Sequence, residues 1–177
     1  ALPISGGWTV TNLDLRGSGV QPSTSTQNIV SLTLSGANAL VLQNIAVTNC
    51  TISKGKRGLF IRGESAGSQK LSGVTVTGNE IFDCWDRAIN VGMLDTVTGV
   101  DHTWVGGLEI SGNHIHNIND PSATAAQTSF GIVISYCNLP QIHHNLIHDI
   151  ALNSPNGGCG WFCWGNTYRA RIYSNEI

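Results

Sequence analysis

Apolar and polar residues alternate over many short stretches of the chain, and most of these stretches end at a glycine or an asparagine. The segment LEISGNHIHNI, residues 108–118, shows the pattern: the alternation runs up to Gly112 and Asn113 and then resumes. Alternation with a period of two is typical of a β-strand, and the Gly-Asn pair is typical of a turn. The pattern therefore predicts two short strands joined by a tight turn.

Relatives of this segment recur at intervals of about 30 residues, the range in which repeat architectures fall. The copies are IAVTNCTI (45–52), VTVTGNEI (74–81), LEISGNHI (108–115), PQIHHNLI (140–147) and ARIYSNEI (170–177), with a fainter WTVTNLDL (8–15). One aligned position holds Cys50, Asn79, Asn113, Asn145 and Asn175. A second motif lies between the copies, as SLTL (31–34), GLFI (58–61), AINV (88–91), GIVI (131–134) and GWFC (160–163). Each repeat thus predicts three short strands.

Three strands of about four residues cannot bury an apolar face alone, but stacked repeats can, with each strand pairing to its counterpart in the next coil. The sequence predicts an all-β solenoid of about six coils with three parallel sheets. Its inward columns are predicted to contain Ile81, Ile115, Ile147 and Ile177 in one sheet, and Ile89, Ile132, Val91 and Ile134 in another. The recurring asparagines are expected to form a hydrogen-bonded ladder that Cys50 ends.

From Trp8 to Ile177, these registered copies resemble the right-handed parallel β-helix family, which includes pectate lyases, polygalacturonases, alginate lyases and epimerases, and phage tailspikes. The resemblance implies a right-handed parallel β-helix over residues 1–177 as one domain. The last copy stops at Ile177 halfway through a coil, and no cap is evident at either end. Solenoid ends need caps. We therefore expect the domain to be part of a longer chain, or an oligomer to cover its ends.

The composition agrees with this interpretation and excludes some partners. Apolar residues make up 41 % and charged residues 11 % of the 177 positions, which favours many strands and turns over helices or disorder. The net charge of −2 gives no general attraction to nucleic acid. No stretch is long and apolar enough for a membrane span. Five cysteines without a CxxC predict neither a zinc site nor a redox motif.

Candidate catalytic residues cluster where the outward positions of neighbouring coils coincide. The register places His116 beside His148, and Asp83 two coils from Asp149. Two carboxylates at that separation are suited to acid and base catalysis with a water between them. Further candidates lie in the turn that follows Asp83. The predicted catalytic set is Asp83, Asp86, Arg87, His116, His148 and Asp149.

Candidate substrate-binding residues are basic and aromatic. Six of the nine Lys and Arg residues fall between Lys54 and Arg87, which would suit a polymer of uronic acids. Exposed aromatic rings stack on sugar faces. The predicted binding set is Lys54, Arg57, Arg62, Trp85, Asn90 and Trp164, whereas Trp161 is expected to point into the core.

The metal chemistry stays open between two alternatives. The oxygens of Asp83, Asn117 and Asp149 share one column and suit Ca²⁺. A transition metal is instead suggested by five histidines, which are His114, His116, His143, His144 and His148. His143 and His144 are expected to lie away from His148. Neither pattern has a recognised ligand spacing, so the sequence identifies no certain cofactor.

These features predict a secreted carbohydrate-active enzyme that cleaves a polysaccharide, most readily an acidic one, by elimination or hydrolysis in a groove along the helix. The segment FDCWDRAINVG (82–92) is similar to the Asp-Asp-Cys segment of polygalacturonases, but Trp85 separates Cys84 from Asp86 and the partner motifs of that family are missing. The alternative is a non-catalytic module, either a glycan binder or a tailspike-like or adhesin-like shaft.

Overall fold

Short β-strands wind into a coil that stacks on itself. The structure, a computed structural model, describes residues 7–18, 28–34, 41–63, 70–92, 104–119, 129–151, 157–164 and 167–177. Within these ranges there are eighteen strands and no helix. Every pairing between strands is parallel, because each strand lies beside the equivalent strand of the next coil. The prediction of an all-β parallel solenoid with three sheets is confirmed.

The chain visits the three sheets in turn. The first sheet contains β1 (Trp8–Thr11), β4 (Val41–Thr48), β7 (Lys70–Thr77), β10 (Trp104–Gly106), β11 (Glu109–Ser111), β14 (Cys137–Asn138), β15 (Gln141–His143) and β18 (Arg171–Tyr173). The second contains β2 (Asp14–Arg16), β5 (Thr51–Ser53), β8 (Glu80–Phe82), β12 (His114–Ile118) and β16 (Leu146–Ile150). The third contains β3 (Asn28–Leu34), β6 (Arg57–Gly63), β9 (Arg87–Val91), β13 (Ser129–Ser135) and β17 (Gly158–Trp164).

The predicted number of about six coils is too high. Within the described residues, five successive coils each contribute strands to all three sheets, and β18 begins the next passage through the first sheet. The fainter copy at the beginning of the chain is a true repeat, because Trp8 pairs with Ile45 and Thr11 with Thr48.

The core consists of the inward columns that the repeat predicts. In the second sheet Ile52, Ile81, Ile115 and Ile147 lie in register on successive coils, and each is at most 1 % exposed. Burying side chains of this size stabilises the fold by about 1.5–3 kcal/mol each. The inward positions Ile89, Ile132, Val91 and Ile134 of the third sheet are also fully buried.

Small residues occupy one recurring core position of the third sheet for a steric reason. A Cβ atom added to Gly58 would lie 2.7 Å from Ile81 Cγ2, and one added to Gly131 would lie 2.8 Å from Ile147 Cγ2. The isoleucine column of the second sheet therefore fills the space that a side chain would need. This explains why the third-sheet motif begins with glycine or alanine in four coils.

The asparagine ladder forms as predicted. The Nδ2 amide of Asn79 donates to Asn113 Oδ1 at 2.9 Å, and the amide of Asn113 donates to Asn145 Oδ1 at the same distance. The ladder continues from Asn145 to Asn175, and at its other end the backbone N–H of Cys50 donates to Asn79 Oδ1 at 3.0 Å. These amides are buried, so each hydrogen bond spares the desolvation cost of an unpaired polar group.

Two large side chains that were predicted to be in the core are exposed. Trp161 pairs in register with the buried Ile132 but is 38 % exposed, and Ile177 is 67 % exposed. Both belong to the last coil, and no further strand of the described residues packs over them. The inward direction is correct for Ile177, whose Cγ2 atom lies 2.6 Å from the position that a Cβ on Gly160 would occupy.

Candidate functional site

The column of polar residues at the carboxyl ends of the second-sheet strands has a conformational cause. Lys54, Asp83, Asn117 and Asp149 have φ angles of 63°, 52°, 53° and 55°. Asn and Asp tolerate this left-handed conformation better than most residues because their side chains can bond to nearby groups. The sharp corner of the backbone therefore explains in part why these positions hold polar side chains.

The column does not gather its oxygens around one point. The Nδ2 amide of Asn117 donates to Asp83 Oδ1, and the amide of Asn119 donates to Asn117 Oδ1 at 2.9 Å. The carboxylate of Asp149 is instead directed to His148. Two of the three predicted Ca²⁺ ligands thus meet through an N–H group, which cannot bind a cation, and the Ca²⁺ site stays a prediction.

The outer face of the second sheet carries a group of five ionisable side chains, which we call the histidine patch. It consists of Glu80 on β8, His114 and His116 on β12, and His148 and Asp149 on β16. The strand register places His114 beside Glu80 and His116 between Phe82 and His148. Sequence reasoning had placed His116, His148 and Asp149 together, and the structure brings them together.

Two hydrogen bonds connect part of the patch in a series. Asp149 Oδ2 lies 2.9 Å from His148 Nδ1, and His148 Nε2 lies 2.9 Å from His114 Nε2. The contact with the carboxylate assigns the proton of His148 to Nδ1. Nε2 of that ring then has a lone pair, which accepts the proton of His114 Nε2.

Stacking on neighbouring rings holds His116 in place, and hydrogen bonds do not. It stacks on Phe82 at 5.1 Å and on His148 at 5.4 Å, with the ring planes within 10°. Its Nε2 atom is buried without a hydrogen-bond partner, and Glu80 Oε1 lies 3.5 Å away. Burial lowers the pKa of His114, and the neighbouring His116 and His148 lower it further, so this ring stays neutral at neutral pH.

A cationic cluster lies at the turn that leads from the second sheet to the third. Asp86 Oδ2 accepts from Arg57 Nε at 3.0 Å, and Asp86 Oδ1 lies 3.3 Å from Arg87 Nε. The three side chains are only 12–16 % exposed. Two guanidinium groups and one carboxylate leave one net positive charge in this covered position. Burial lowers the pKa of Arg87, but an arginine remains charged at neutral pH.

Asn90 belongs to this cluster rather than to an open surface. It is 3 % exposed, and its Oδ1 accepts a hydrogen bond from Arg87 Nη1 at 2.6 Å. The equivalent positions Phe60 and Val133 are also buried, at 3 % and 4 %. The outward side of the third sheet is therefore covered at these three positions, and the hydrogen bond of Asn90 positions Arg87.

The remaining predicted binding residues are scattered. Lys54 is exposed at its corner, and Trp85 is half-buried in the turn between Asp83 and Asp86. Arg62 and Trp164 lie on β6 and β17, where they pair with Thr33 and Ser135, but both side chains lie outside the described residues.

A second histidine pair lies on a different sheet, as expected. His143 is the last residue of β15 in the first sheet and His144 follows it, with their Nδ1 atoms 2.8 Å apart. His143 stacks on Tyr173 at 4.8 Å, and its Nε2 lies 3.5 Å from Glu109 Oε1. This pair contains the same residue types as the histidine patch. It brings fewer potential metal-ligand atoms close together.

Sequence reasoning missed Glu80 and named His114 only as one of several histidines. Both residues precede an inward isoleucine, whereas the predicted columns contain the residues that come after it. In a strand, the residues on both sides of an inward position point outward. The signal was therefore present, since Glu80 and His114 occupy the same place in consecutive repeats.

A family model described as a right-handed beta helix region matches residues 5–177. In two further comparisons, no curated protein and no solved structure matches the chain. Across the described ranges, no helix has the length and apolar character that crossing a membrane requires.

Proposed function

The chain belongs to the right-handed β-helix family, and we propose that it is a secreted carbohydrate-active enzyme that cleaves an acidic polysaccharide by elimination. The observation that carries this proposal is the series Asp149–His148–His114 on the open face of the second sheet. A β-helix hosts many chemistries, so the fold alone does not carry it.

His148 is the proposed general base. A carboxylate on Nδ1 orients the ring and keeps the lone pair on Nε2, which is how enzymes prepare a histidine for proton transfer. Nε2 accepts the substrate's proton after it gives up its hydrogen bond from His114. In a uronic acid the proton to be removed lies on the carbon beside the carboxylate. Its removal is followed by cleavage of the bond between the next ring carbon and its glycosidic oxygen. The oxygen leaves with the other fragment and takes a proton from water, and the first fragment keeps a carbon–carbon double bond. His148 takes the proton, and Asp149 stabilises the imidazolium that forms.

The cationic cluster supports binding of a negatively charged chain. Its net positive charge lies in a covered position, where an electrostatic field is screened less than at an exposed surface. The exposed Lys54, three residues before Arg57 in the same turn, is available for direct contact with a carboxylate. A positive field at the carboxylate also stabilises the negative charge that develops when the neighbouring proton leaves.

Elimination fits the three carboxylates of the predicted catalytic set better than hydrolysis does. Hydrolysis uses two carboxyl groups, one on each side of the glycosidic bond. Asp83 is engaged by Asn117, Asp149 by His148, and Asp86 by two arginines. No pair of these three carboxylates is therefore available as acid and base.

The test is a panel of neutral and acidic polysaccharides, measured by the ultraviolet absorbance of unsaturated uronates and by the release of reducing ends. We expect new absorbance with at least one acidic polymer. His148→Ala should lower that rate about 100-fold or more, the contribution typical of a general base. The matched control is His143→Ala, which removes a histidine beside a glutamate on another sheet and should retain the activity.

Other results would contradict the proposal. Reducing ends without the new absorbance would indicate hydrolysis. Saturable binding of a polysaccharide without any product would instead support the non-catalytic alternative, a glycan-binding module. Equal activity of His148→Ala and the wild-type chain would exclude His148 as the base.

A further inference from the structure

We propose that the histidine patch binds one divalent transition-metal ion, with Glu80, His114 and His116 as its ligands. One potential ligand atom from each of these three residues lies within 4.8 Å of the other two. Two come from the same strand and the third from the neighbouring coil, so the three side chains form a triangle on one sheet face. This inference goes beyond the proposed function and does not depend on it.

The separations suit an ion after side-chain rotation alone. Bonds from Zn²⁺ to nitrogen or carboxylate oxygen are about 2.0–2.2 Å, which places two ligands of a tetrahedral site about 3.3 Å apart. Glu80 Oε1 and His116 Nε2 already lie 3.5 Å apart. Glu80 is an exposed side chain and can turn, while β8 and β12 fix the positions from which the ligands extend.

The protein leaves one ring nitrogen of His116 without a partner. Its Nε2 is buried and has no hydrogen-bond partner, and the contact to Glu80 is too long for a good hydrogen bond. Buried polar atoms are nearly always satisfied, as the asparagine ladder illustrates. A cation between Nε2 and the Glu80 carboxylate would satisfy both groups.

A fourth donor is close at hand. His148 Nε2 lies 2.9 Å from His114 Nε2, near the separation of two ligands on one ion, and the ion would replace the proton that His114 Nε2 donates to His148. Asp149 on the opposite nitrogen of His148 matches the carboxylate–histidine pairs that orient metal-binding imidazoles. Three imidazoles and a carboxylate favour Zn²⁺, Co²⁺ or Ni²⁺ over Ca²⁺ or Mg²⁺, which prefer oxygen ligands throughout.

The experiment is a calorimetric titration of the chelator-treated chain with Zn²⁺, and separately with Ca²⁺. We expect one Zn²⁺ per chain with a Kd of about 1 μM or lower, and no comparable Ca²⁺ binding. Glu80→Gln and His116→Ala should each weaken Zn²⁺ binding at least about tenfold. Substitution of Co²⁺ should give visible absorption bands of a nitrogen-bound ion, which are lost in the same variants.

His143→Ala is the matched control, because it removes a histidine that lies 3.5 Å from Glu109, the same distance as in the His116–Glu80 pair. It should leave Zn²⁺ binding unchanged. Circular dichroism and thermal melting establish that the variants are folded, and His116→Gln replaces His116→Ala if the latter is not. The proposal is wrong if the wild-type chain binds no stoichiometric Zn²⁺, if Ca²⁺ binds equally well, or if His143→Ala weakens binding as much as His116→Ala.

The outcomes for metal and for catalysis are separable. The Zn²⁺ titration uses no polysaccharide, so it can succeed when every polymer in the panel stays intact. Elimination by the chelator-treated chain can likewise be observed when no metal binds. If both proposals hold, Zn²⁺ should inhibit elimination, because the ion competes for the nitrogen of His148 that accepts the proton.

Discussion

The asparagine ladder and the histidine patch are both stacks of polar side chains on successive coils, yet they differ in nearly every physical property. Asn79, Asn113 and Asn145 are each 1 % exposed, and every amide is bonded to the next. In the patch, Glu80 and His148 are exposed and His116 has a nitrogen without a partner. The ladder repeats one residue type, whereas the patch combines histidine with glutamate and aspartate.

The difference separates polar side chains that stabilise this solenoid from polar side chains that are available for function. A buried polar column must satisfy itself on every coil, and a repeated amide does so because it both donates and accepts. A column on the open face has no such requirement, because water can satisfy it. Ionisable side chains that depart from the repeat on that face are therefore the ones that point to function.

The largest effect is expected from breaking the ladder at its centre. Asn113→Ala removes the acceptor for the backbone N–H and the side-chain amide of Asn79. Two buried donors without partners, at about 1–3 kcal/mol each, should lower the free energy of unfolding by about 2–6 kcal/mol. Denaturant titration followed by circular dichroism measures the change.

The matched control for that prediction is Cys50→Ala. The ladder uses the backbone N–H of Cys50, which the substitution retains, so the loss should be only about 1 kcal/mol. Equal losses in the two variants would mean that the amide side chains contribute nothing beyond packing.

A smaller effect is expected from the cationic cluster, which is covered like the ladder but charged like the patch. Asp86→Asn leaves Arg57 and Arg87 without a counter-charge in a covered position, and should cost about 3 kcal/mol of stability. Asp14→Asn breaks the equivalent contact with Arg16, which is exposed, and should have no measurable effect. The same denaturant titration compares them, and similar losses would remove the distinction.

The histidine patch should tolerate substitution with a still smaller loss. His116→Ala removes ring stacking on Phe82 and His148, worth about 1 kcal/mol. Its melting temperature should stay close to that of the wild-type chain. A loss as large as that of Asn113→Ala would show that the patch is part of the scaffold and not an addition to it.

The smallest effect is expected at the buried thiols, which should not react at all in the folded chain. Burial raises the pKa of the Cys84 and Cys137 thiols to about 12 from the ordinary value of 9.0. A thiol reagent at pH 8 should modify the exposed Cys159 first, and Cys84 and Cys137 only after denaturation. Mass spectrometry after timed labelling identifies the modified residues, and rapid labelling of Cys84 would contradict the buried position.

The same thiols set the direction of a pH dependence. Because their folded pKa lies above the unfolded value, they stabilise the fold fully below about pH 9 and progressively less as the pH rises towards 12. Alkaline denaturation of a Cys84→Ala variant should accordingly be less steep than that of the wild-type chain.

The sequence predicted the scaffold well because the repeat makes it over-determined. Each inward isoleucine is supported by equivalents one coil away, so one registered copy predicts the next. The same reasoning brought His116 and His148 together correctly. It failed for Trp161 and Ile177, because register gives the direction of a side chain but not whether another coil covers it.

The site was less predictable because its geometry depends on rotamers and not on register. Asp149 shares a column with Asp83, yet its carboxylate turns to His148, while Asp83 accepts from Asn117. Asn90 occupies an outward position but is buried against Arg87. Alternation along a strand fixes neither choice, since both depend on neighbours that lie elsewhere in the chain.

The ladder also determines how such a chain can change its length during evolution. Because every amide rung is interchangeable, duplication or loss of one whole coil leaves no rung unpaired, and the solenoid can grow or shrink freely. The histidine patch restricts that freedom. An extra coil between β8 and β12 would move Glu80 about 4.8 Å further from His114. Length variation is therefore compatible with the patch only outside the three coils that build it.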